Sequence, residues 1–593
     1  MRTRIYLLNV LAIAFAVLGW NQAVRADVPG FIVERVARTG DPVPGIEGAT
    51  FTWLDDQPLI DGEGNVLILA AFNDGTKDRG GYFYGQPGEL ELIVEGLDQA
   101  PGFDEGVLYQ NFPYANLAPN GTLTIKPDVG SGDDLGDWFR AMFTGPPDGL
   151  TLTMYVDGPA PGLPEGATTF GIHDPNINAA GQIATFGGIL VPDHPNGSYQ
   201  AITAGPPDDL QIVAHGFGEA PDIEGGATFI NGQVPSVGGI TYNDLGWVGF
   251  SAFFEGPLVD EYNFYGLFVG SADDLRLVAR QGSQAPGMDP GVEFFNFLTV
   301  VPQLNGLGDV VFRGVVEGSE IDETNNIGVW AGPREAPDLV PNMRTGCPAP
   351  GTPSGVVFSG FLGAMLNGRS ELLIWGALAG DGIDSSNNHG YWFGPPDDVR
   401  LLVWEGQQAF GLPEGVVVTF DGDSNYLRSP RFEMNGRGDL LMAVPLIGLG
   451  VDETNDAVLY YRSGGVSDWT FVLRTGAVLD GLPVAPHGIS SDSFNYTTGS
   501  NGAPRGMNED GEFVIFLEFP DDVTGIYRFS PLPTRLLPGD FDRDHDVDLI
   551  DFGAFQRCFE HDSEDCLSAF DFDDSGAIDL LDFEAFQEAL TGP

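Results

Sequence analysis

Between residues 29 and 530 the chain is a succession of short apolar runs, each bounded by Gly, Pro, Asn or Asp. Runs such as Val310-Val-Phe312 and Phe513-Val-Ile-Phe516 are rich in β-branched and aromatic residues and too short for helices. They predict strands joined by tight turns. The pattern changes near the C-terminus. There Phe552-Gly-Ala-Phe-Gln and Phe583-Glu-Ala-Phe-Gln place paired rings on what would be one face of a helix.

The strands come in units. An apolar strand followed by Gly, a short gap and Ala-Pro-Gly or a variant recurs eight times, with its glycine at Gly40, Gly96, Gly158, Gly216, Gly282, Gly346, Gly406 and Gly476. Successive glycines lie 56 to 70 residues apart. A second phrase, Asn-x-x-Gly before a strand, starts at Asn178, Asn243, Asn305, Asn435 and Asn508. Asp61 begins its acidic form, Asn367 is followed by Ser370 in place of Gly, and Ala118 replaces the Asn. Asn and Gly both tolerate positive φ, so the phrase reads as a tight turn. A third phrase, Trp392-Phe-Gly-Pro-Pro-Asp-Asp-Val-Arg-Leu-Leu-Val403, reads as strand, turn, strand, and so does the stretch from Phe268 to Val278. A fourth strand is expected near Phe170, Phe229, Phe294, Phe358 and Phe420.

Four strands in each repeat of this length predict a β-propeller blade. The expected fold class is mainly β: an eight-repeat β-propeller followed by a small α-helical domain. The array opens on a lone strand, Phe31-Ile-Val-Glu-Arg-Val36, and closes on another, Gly525-Ile-Tyr-Arg-Phe529. Elsewhere these two strand types are hairpin partners. Pairing them would close the ring and hide both edges. An open β-solenoid is the alternative, because repetition does not by itself require closure.

With 593 residues the chain is too long for one core. A hydrophobic share of 42% excludes a disordered chain, and 84 Gly with 44 Pro accord with many turns. Eighty-five acids against 26 bases give a formal charge of −59. Such a surface repels phosphate backbones and argues against a nucleic-acid partner. Arg2 and Arg4, the apolar run from Ile5 to Leu18 and the small-residue site Val24-Arg-Ala26 predict a signal peptide over residues 1–26. The expected location is extracellular or at the cell surface, with no integral membrane segment after cleavage; an uncleaved N-terminal anchor is the alternative. Three cysteines occur. Cys558 and Cys566 form a disulfide or stay as two thiols, and Cys347 has no evident partner.

Catalytic signatures are missing. There is no His-Glu-x-x-His, no phosphate loop and no Gly-x-Ser-x-Gly. Histidines 173, 194, 215, 389, 487, 545 and 561 occupy dissimilar repeat positions, and carboxylates are too numerous to single out a hydrolytic pair. No catalytic residue is assigned. Enzyme activity stays open, with a non-catalytic reading favoured; an enzyme here would be a glycoside hydrolase or polysaccharide lyase. Four loops, at Asp260, Asp322, Asp384 and Asp452, repeat an acidic, amide-rich sequence before a strand. Either they form a rim for calcium or sugar hydroxyls, or their Asp and Asn simply end and start strands.

The last 54 residues carry two 12-residue acidic loops. Oxygen ligands at positions 1, 3, 5, 7, 9 and 12 suit a hard cation, position 7 through its carbonyl. The first loop offers Asp540, Asp542, Asp544, Asp546, Asp548 and Asp551; the second offers Asp571, Asp573, Ser575, Ala577, Asp579 and Asp582. Two calcium sites are expected. His545 fills position 6 of the first loop, where the second has Gly576.

Residues 29–530 resemble the bacterial tandem Asn-x-x-Gly-x-x-(Ala)-Phe repeat proteins, which implies architecture and export but no activity. Residues 538–591 resemble type I dockerin repeats: apolar Val547 and Ile578 at position 8, Asp at position 12, and Gly539 before the first loop. That resemblance implies paired calcium loops, each feeding one helix, that fold on metal and dock onto a cohesin-like or cell-surface partner. Leu549-Ile550 and Leu580-Leu581 stand where many dockerins use hydroxyl residues. The cysteine-containing spacer is similar to a bacterial variant serving surface display. The expected organisation is a signal peptide (1–26), the propeller (27–530), a proline-marked linker (531–538) and a dockerin-like calcium-binding domain (539–593). The expected function is that of an exported binding or scaffold protein, with a glycan ligand on the propeller face. The alternatives are a dockerin-tethered carbohydrate-active enzyme and a structural cell-surface component.

Overall fold

Antiparallel strands make up nearly all regular structure as far as Pro531. The computed structural model describes residues 25–593 except 132–137, 164, 193–196, 236–238, 300, 421–429, 465–467, 486–487, 490–500, 533–538, 540, 542–546, 548, 560–563, 573–574, 576 and 590–593. Residues 1–24 of the expected signal peptide and most of the linker thus lie outside the described residues, while Arg25 and Ala26 already belong to a strand. Among those described, no helix is long and apolar enough to cross a membrane.

The strands form eight blades of a β-propeller. Blades 1 to 7 occupy residues 50–95, 108–155, 168–215, 219–280, 293–344, 357–404 and 416–474. The eighth sheet joins Phe513–Glu518 and Thr524–Pro531 to Phe31–Arg38 and Arg25–Val28 from the other end of the chain. Val33 pairs with Phe529, Glu34 with Arg528 and Arg38 with Gly525. The expected closure holds, and the open solenoid is set aside. Arg528 reinforces the seam, reaching Glu34 at 2.6 Å and the Gly64 carbonyl of blade 1 at 2.7 Å. On the other side Arg35 and Arg38 both pair with Asp480, on a hairpin just before blade 8.

Each blade starts at the axis. In blade 1 the inner strand is broken: Thr50–Leu54 and Leu59–Ile60 both pair with Val66–Asn73. The break falls at a proline, which has no N–H for the ladder. Pro58, Pro113, Pro175, Pro235, Pro302, Pro430 and Pro504 stand at corresponding places in seven blades. Blade 6 has no such proline, and its inner strand Val357–Leu366 runs unbroken apart from bulges. The repeats therefore carry a third punctuation mark besides Gly and Asn, one the sequence reading passed over.

The Asn-x-x-Gly phrase needs correcting in its physics. The glycines take positive φ, +76° at Gly181 and +89° at Gly308, but the asparagines do not. Asparagine is there for its side chain. Asn305 Oδ1 accepts the Leu307 and Asp309 N–H groups at 3.1 and 2.9 Å, closing its own turn. Its Nδ2 donates to the Asn367 carbonyl of the next blade at 3.0 Å. The same link runs from Asn178 to Asn243, Asn243 to Asn305, Asn435 to Asn508, and Asn508 to Asp61 across the closure. All these side chains are buried.

The Ala-Pro-Gly phrase also has a specific task. Trp330 and Trp392 are fully buried between strands. Their indole N–H groups donate to the Pro286 and Pro350 carbonyls, both at 2.9 Å, and Tyr460 donates to the Phe410 carbonyl at 2.7 Å. A buried indole or phenol needs such a partner. Phe294 and Phe358 pack on the two tryptophans at 4.9 and 4.7 Å between ring centroids. Phe170 departs from the expected pattern: it is 52% exposed, and Thr169 takes the inward place. A shift of one residue moves a side chain to the other face of a strand.

Beyond the propeller lie three short helices, Leu549–Cys558, Glu564–Phe570 and Leu580–Ala589. Phe555, Phe570 and Phe586 form their shared core. Cys558 and Cys566 are joined, with Cα atoms 5.5 Å apart, so the two-thiol alternative falls. Cys347 is unpaired and half-buried.

Two outcomes test this account. Deleting residues 29–40 removes buried Phe31, Val33, Val36 and Ala37 and exposes the edge of blade 8. Urea denaturation of the whole array should then lose about 5 kcal/mol, at 1.5–3 kcal/mol for each large apolar side chain. Local fraying with an unchanged midpoint would contradict the closed ring. Asn305→Ala strands two N–H groups and a carbonyl at the axis and should cost about 2–4 kcal/mol in the same assay.

Candidate functional sites at the axis and in the C-terminal helices

A propeller axis is ordinarily an open channel, but here the chain crosses it. Residues 501–507 precede Phe513–Glu518 and bond to the inner strands of six other blades. The Gly502 carbonyl accepts Asn116 Nδ2 at 2.9 Å and the Ile177 N–H at 3.0 Å, from blades 2 and 3. The Asn501 carbonyl accepts the Tyr242 N–H of blade 4 at 3.0 Å, and Asn501 Nδ2 reaches Gln303 of blade 5 at 3.3 Å. The Arg505 carbonyl accepts the Ile60 N–H of blade 1 at 3.1 Å. Glu433 of blade 7 accepts the Gly506 and Met507 N–H groups at 2.5 and 3.1 Å. A seven-residue segment touching so many blades can only lie on the axis, where it closes the channel.

Two consequences are electrostatic. Glu433 is 1% exposed, and burial raises its carboxyl to about 7, against the pull of the two N–H bonds and Arg505. Arg505 is itself buried, and desolvation lowers its pKa. The broken inner strands present further polar groups. Asp55 is raised to about 6, by burial first and then by the neighbouring Asp56 carboxylate. Lys126, one of two lysines in the chain, is buried beside the Tyr114 ring and paired with Asp174. His173 stacks on Phe186 at 4.0 Å, and its pKa is lowered by desolvation, then by Lys126. Sequence reading missed this group. The signal available was a lysine following an apolar strand, Leu123-Thr-Ile125, in a chain almost without lysines.

The repeated acidic loops bind themselves. Asp322 Oδ1 accepts the Thr324 N–H and hydroxyl at 2.8 and 2.6 Å, and Asn325 Nδ2 donates to the Glu320 carbonyl at 3.1 Å. Asp384 and Asp452 repeat the arrangement with Ser386 and Thr454. These bonds hold all three carboxyls below their ordinary range. The strand-end reading accounts for the loops.

Of the twelve expected metal ligands, Asp540, Asp542, Asp544, Asp546, Asp548 and Asp573 lie outside the described residues. The others show a twofold repetition. Asp551 and Asp582 each enter a helix in its first turn and are 0% exposed. Asp551 accepts the Phe541 N–H at 2.6 Å, and Asp582 accepts the Phe572 N–H at 2.8 Å, so position 12 reaches back to position 2 in both loops. Asp582 also accepts the Asp579 N–H at 2.8 Å. Asp571 accepts the Ser575 N–H at 2.9 Å, and Ser575 Oγ donates to the Ala577 carbonyl at 3.1 Å. Among the described residues no group of three His, Cys, Asp or Glu is already assembled around a metal position. Yet no basic side chain pairs with Asp582 among them, and a carboxylate shut off from water calls for a countercharge. An all-oxygen donor set fits a hard divalent ion in that role.

The class these features define is an eight-bladed propeller with a self-sealed axis, followed by helices and a disulfide. The chain belongs to the DUF7453 family, a family of unknown function, matching it over residues 14–337 and 300–530. No curated protein matches it. Similar solved structures include the β-propeller domain of the Trilobed protease from Pyrococcus furiosus, at 7% identity, covering 72% of this chain and 100% of that one, with a TM-score of 0.32. The acylaminoacyl peptidase of Pyrococcus horikoshii gives 6% identity over 72% of this chain and 53% of that one, TM-score 0.35. The polysaccharide lyase Uly1 gives 11% over 86% and 98%, TM-score 0.31. Likeness at this level carries no functional argument.

Burial of Glu433 predicts a pH dependence. Its folded pKa of about 7 lies above the ordinary 4.5. The protonated form therefore stabilises the fold fully below pH 4.5, and that stability is lost as pH rises through 7. Glu433→Gln keeps the acceptor oxygen without the charge. At pH 8 it should be more stable than wild type by about 3 kcal/mol, and at pH 4.5 the two should match. Urea midpoints of both proteins across this range are the measurement.

Proposed function

We propose that this is an exported binding or scaffold protein, surface-displayed or secreted, whose C-terminal helices form a calcium-dependent, dockerin-like docking or anchoring module. The observation that carries the reading is the pair of fully buried aspartates, Asp551 and Asp582, at equivalent places in two duplicated loops. Each opens a helix and each is folded onto the start of its own loop. A calcium ion in each loop is coordinated by its oxygen ligands, Asp582 gains a countercharge in the second loop, and the binding free energy adds to folding. The partner is a cohesin-like or other cell-surface protein. Export is supported by the N-terminal apolar run and the disulfide, and the acidic surface suits a medium rich in divalent cations.

The propeller serves as the display or recognition body. With the axis sealed, ligands meet it at a face or mouth and do not pass through. A second reading, a carbohydrate-active enzyme, is favoured by Asp55 alone: a carboxyl protonated near pH 6 at the break in an inner strand has the character of a general acid. Release of reducing sugar from a polysaccharide panel by wild type, lost in Asp55→Asn, would establish it.

Calorimetry of the full-length protein with calcium should show two binding events of unequal affinity. The tighter one should belong to the second loop, because His545 replaces the glycine of the sharp turn in the first. Asp582→Ala should abolish the tighter event and Asp551→Ala the weaker. No heat on adding millimolar calcium to the chelated protein would overturn the reading; a tight event lost in Asp551→Ala and kept in Asp582→Ala would reverse the ranking.

A further inference from the structure

The break in the inner strand of blade 1 leaves a cavity of about 50 Å³ between blades 1 and 2, backed by Pro504 of the axial segment. A water needs about 10–15 Å³ of such space, so the cavity admits a group of about four heavy atoms. Three aromatic rings line it: Tyr82, Phe112 and Tyr114. Tyr82 is buried and meets Phe112 edge-on at 5.2 Å; Phe112 and Tyr114 are half-buried. Leu59, Leu67 and Leu69 supply most of the remaining wall. Besides the hydroxyls of Tyr82 and Tyr114, two polar side chains line it, Asp55 and Gln57.

Asp55 is the informative group. Its Oδ1 accepts the Asp56 N–H at 2.9 Å, and no Lys, Arg or His pairs with it among the described residues. A half-buried carboxylate against aromatic faces is an uncompensated charge. Lys126, beside the Tyr114 ring, is committed to Asp174. Lys126 Nζ lies 5.7 Å from the Tyr114 centroid, so this ring already takes an ammonium group within the chain. With Asp56 adjacent and Lys126 neutralised by Asp174, the local charge is negative, as is the whole surface. The Tyr114 hydroxyl already donates to the Pro175 carbonyl at 2.8 Å, and a sugar ring would want more hydrogen-bond partners than Asp55, Gln57 and the Tyr82 hydroxyl provide. A hydrated metal ion would not shed its water for one carboxylate and aromatic walls.

We propose that this cavity binds an organic ammonium group, with Asp55 as its countercharge and the Phe112 and Tyr114 rings as its walls. Size, shape and charge agree: four heavy atoms match a methylated ammonium head, and aromatic faces attract it through their quadrupoles. The inference stands apart from the calcium-dependent docking reading, since the cavity and the helices share no residue.

The test uses the full-length protein at pH 8 and fixed ionic strength, with choline and its neutral carbon isostere 3,3-dimethylbutan-1-ol as probes, followed by calorimetry. Choline should saturate one site, and the isostere should bind at least about tenfold more weakly. Asp55→Asn and Phe112→Ala should each weaken choline about tenfold or more while thermal unfolding stays close to wild type. Lowering the pH to 5 should weaken choline in wild type and leave Asp55→Asn unmoved. Retention on trimethylchitosan beads, reversed by choline and not by equimolar sodium chloride, would place the ammonium group on a polysaccharide; choline binding without such retention would make it a free small cation. Absence of saturable binding up to about 100 mM choline overturns the proposal, as does equal binding of the isostere or an Asp55→Asn variant that binds choline as wild type does. Should either variant fail to fold, the isostere comparison and the pH series on wild type decide alone.

Discussion

One amide at the axis does two jobs, and the ring depends on both. Six of the eight repeats turn from the inner strand to the next with a buried asparagine. The carbonyl end closes the turn on its own backbone, and the amide end crosses to the neighbouring blade. Asn carries an amide donor and a carbonyl acceptor on separate atoms of one short side chain. The substitutions along the ring follow from that chemistry. Asp61 can close its turn but has no proton to donate, and the adjacent Gly62 N–H bonds to Pro119 of blade 2 instead, at 2.9 Å. Ser370 holds the positive-φ position at +64°, and its hydroxyl receives Asn305 Nδ2 at 3.0 Å. Ala118 can do neither job. Beside it, Asn116 turns its amide to the axial segment.

That segment changes what the propeller can be used for. A channel occupied by Asn501, Gly502 and Arg505 offers no passage, so binding chemistry is confined to the faces. It also places a buried carboxyl and a buried guanidinium, Glu433 and Arg505, in the middle of the molecule. Groups so buried are held at the expense of stability near neutral pH, and a bond network that spans six blades is what makes the arrangement sustainable. The further polar group, from Asp55 to His173, arises from the same cause as the axial bonds. Prolines break the inner strands, and the freed residues turn toward the axis or away from the ladder.

The C-terminal helices obey a different logic. Their core is a cluster of phenylalanines, locked by a disulfide, beside two loops whose final aspartates, Asp551 and Asp582, are buried. In so small a unit apolar burial alone leaves little margin, and the cross-link between Cys558 and Cys566 makes up part of the difference. A duplicated loop whose two final aspartates share the same backbone bond indicates one structural solution used twice.

Eight blades, four strands in each and closure by the two chain ends were all legible in spacing, because a repeat that cannot bury its own face must stack on its copies and hide its edges. The duplication of the acidic loops was legible in the same way, and Asp551 and Asp582 do share one backbone arrangement. What the asparagines do was not legible, since Asn in a turn looks the same whether it serves φ or a neighbour 62 residues away. Nor was the inward place of Thr169 over Phe170, which turns on a one-residue register within a single strand. The sealed axis and the Asp55 cavity were decided by tertiary structure alone. Both are made by residues from several blades, hundreds of positions apart, and sequence periodicity reports what repeats, whereas these features arise where the repeats differ and the ring brings the differences together.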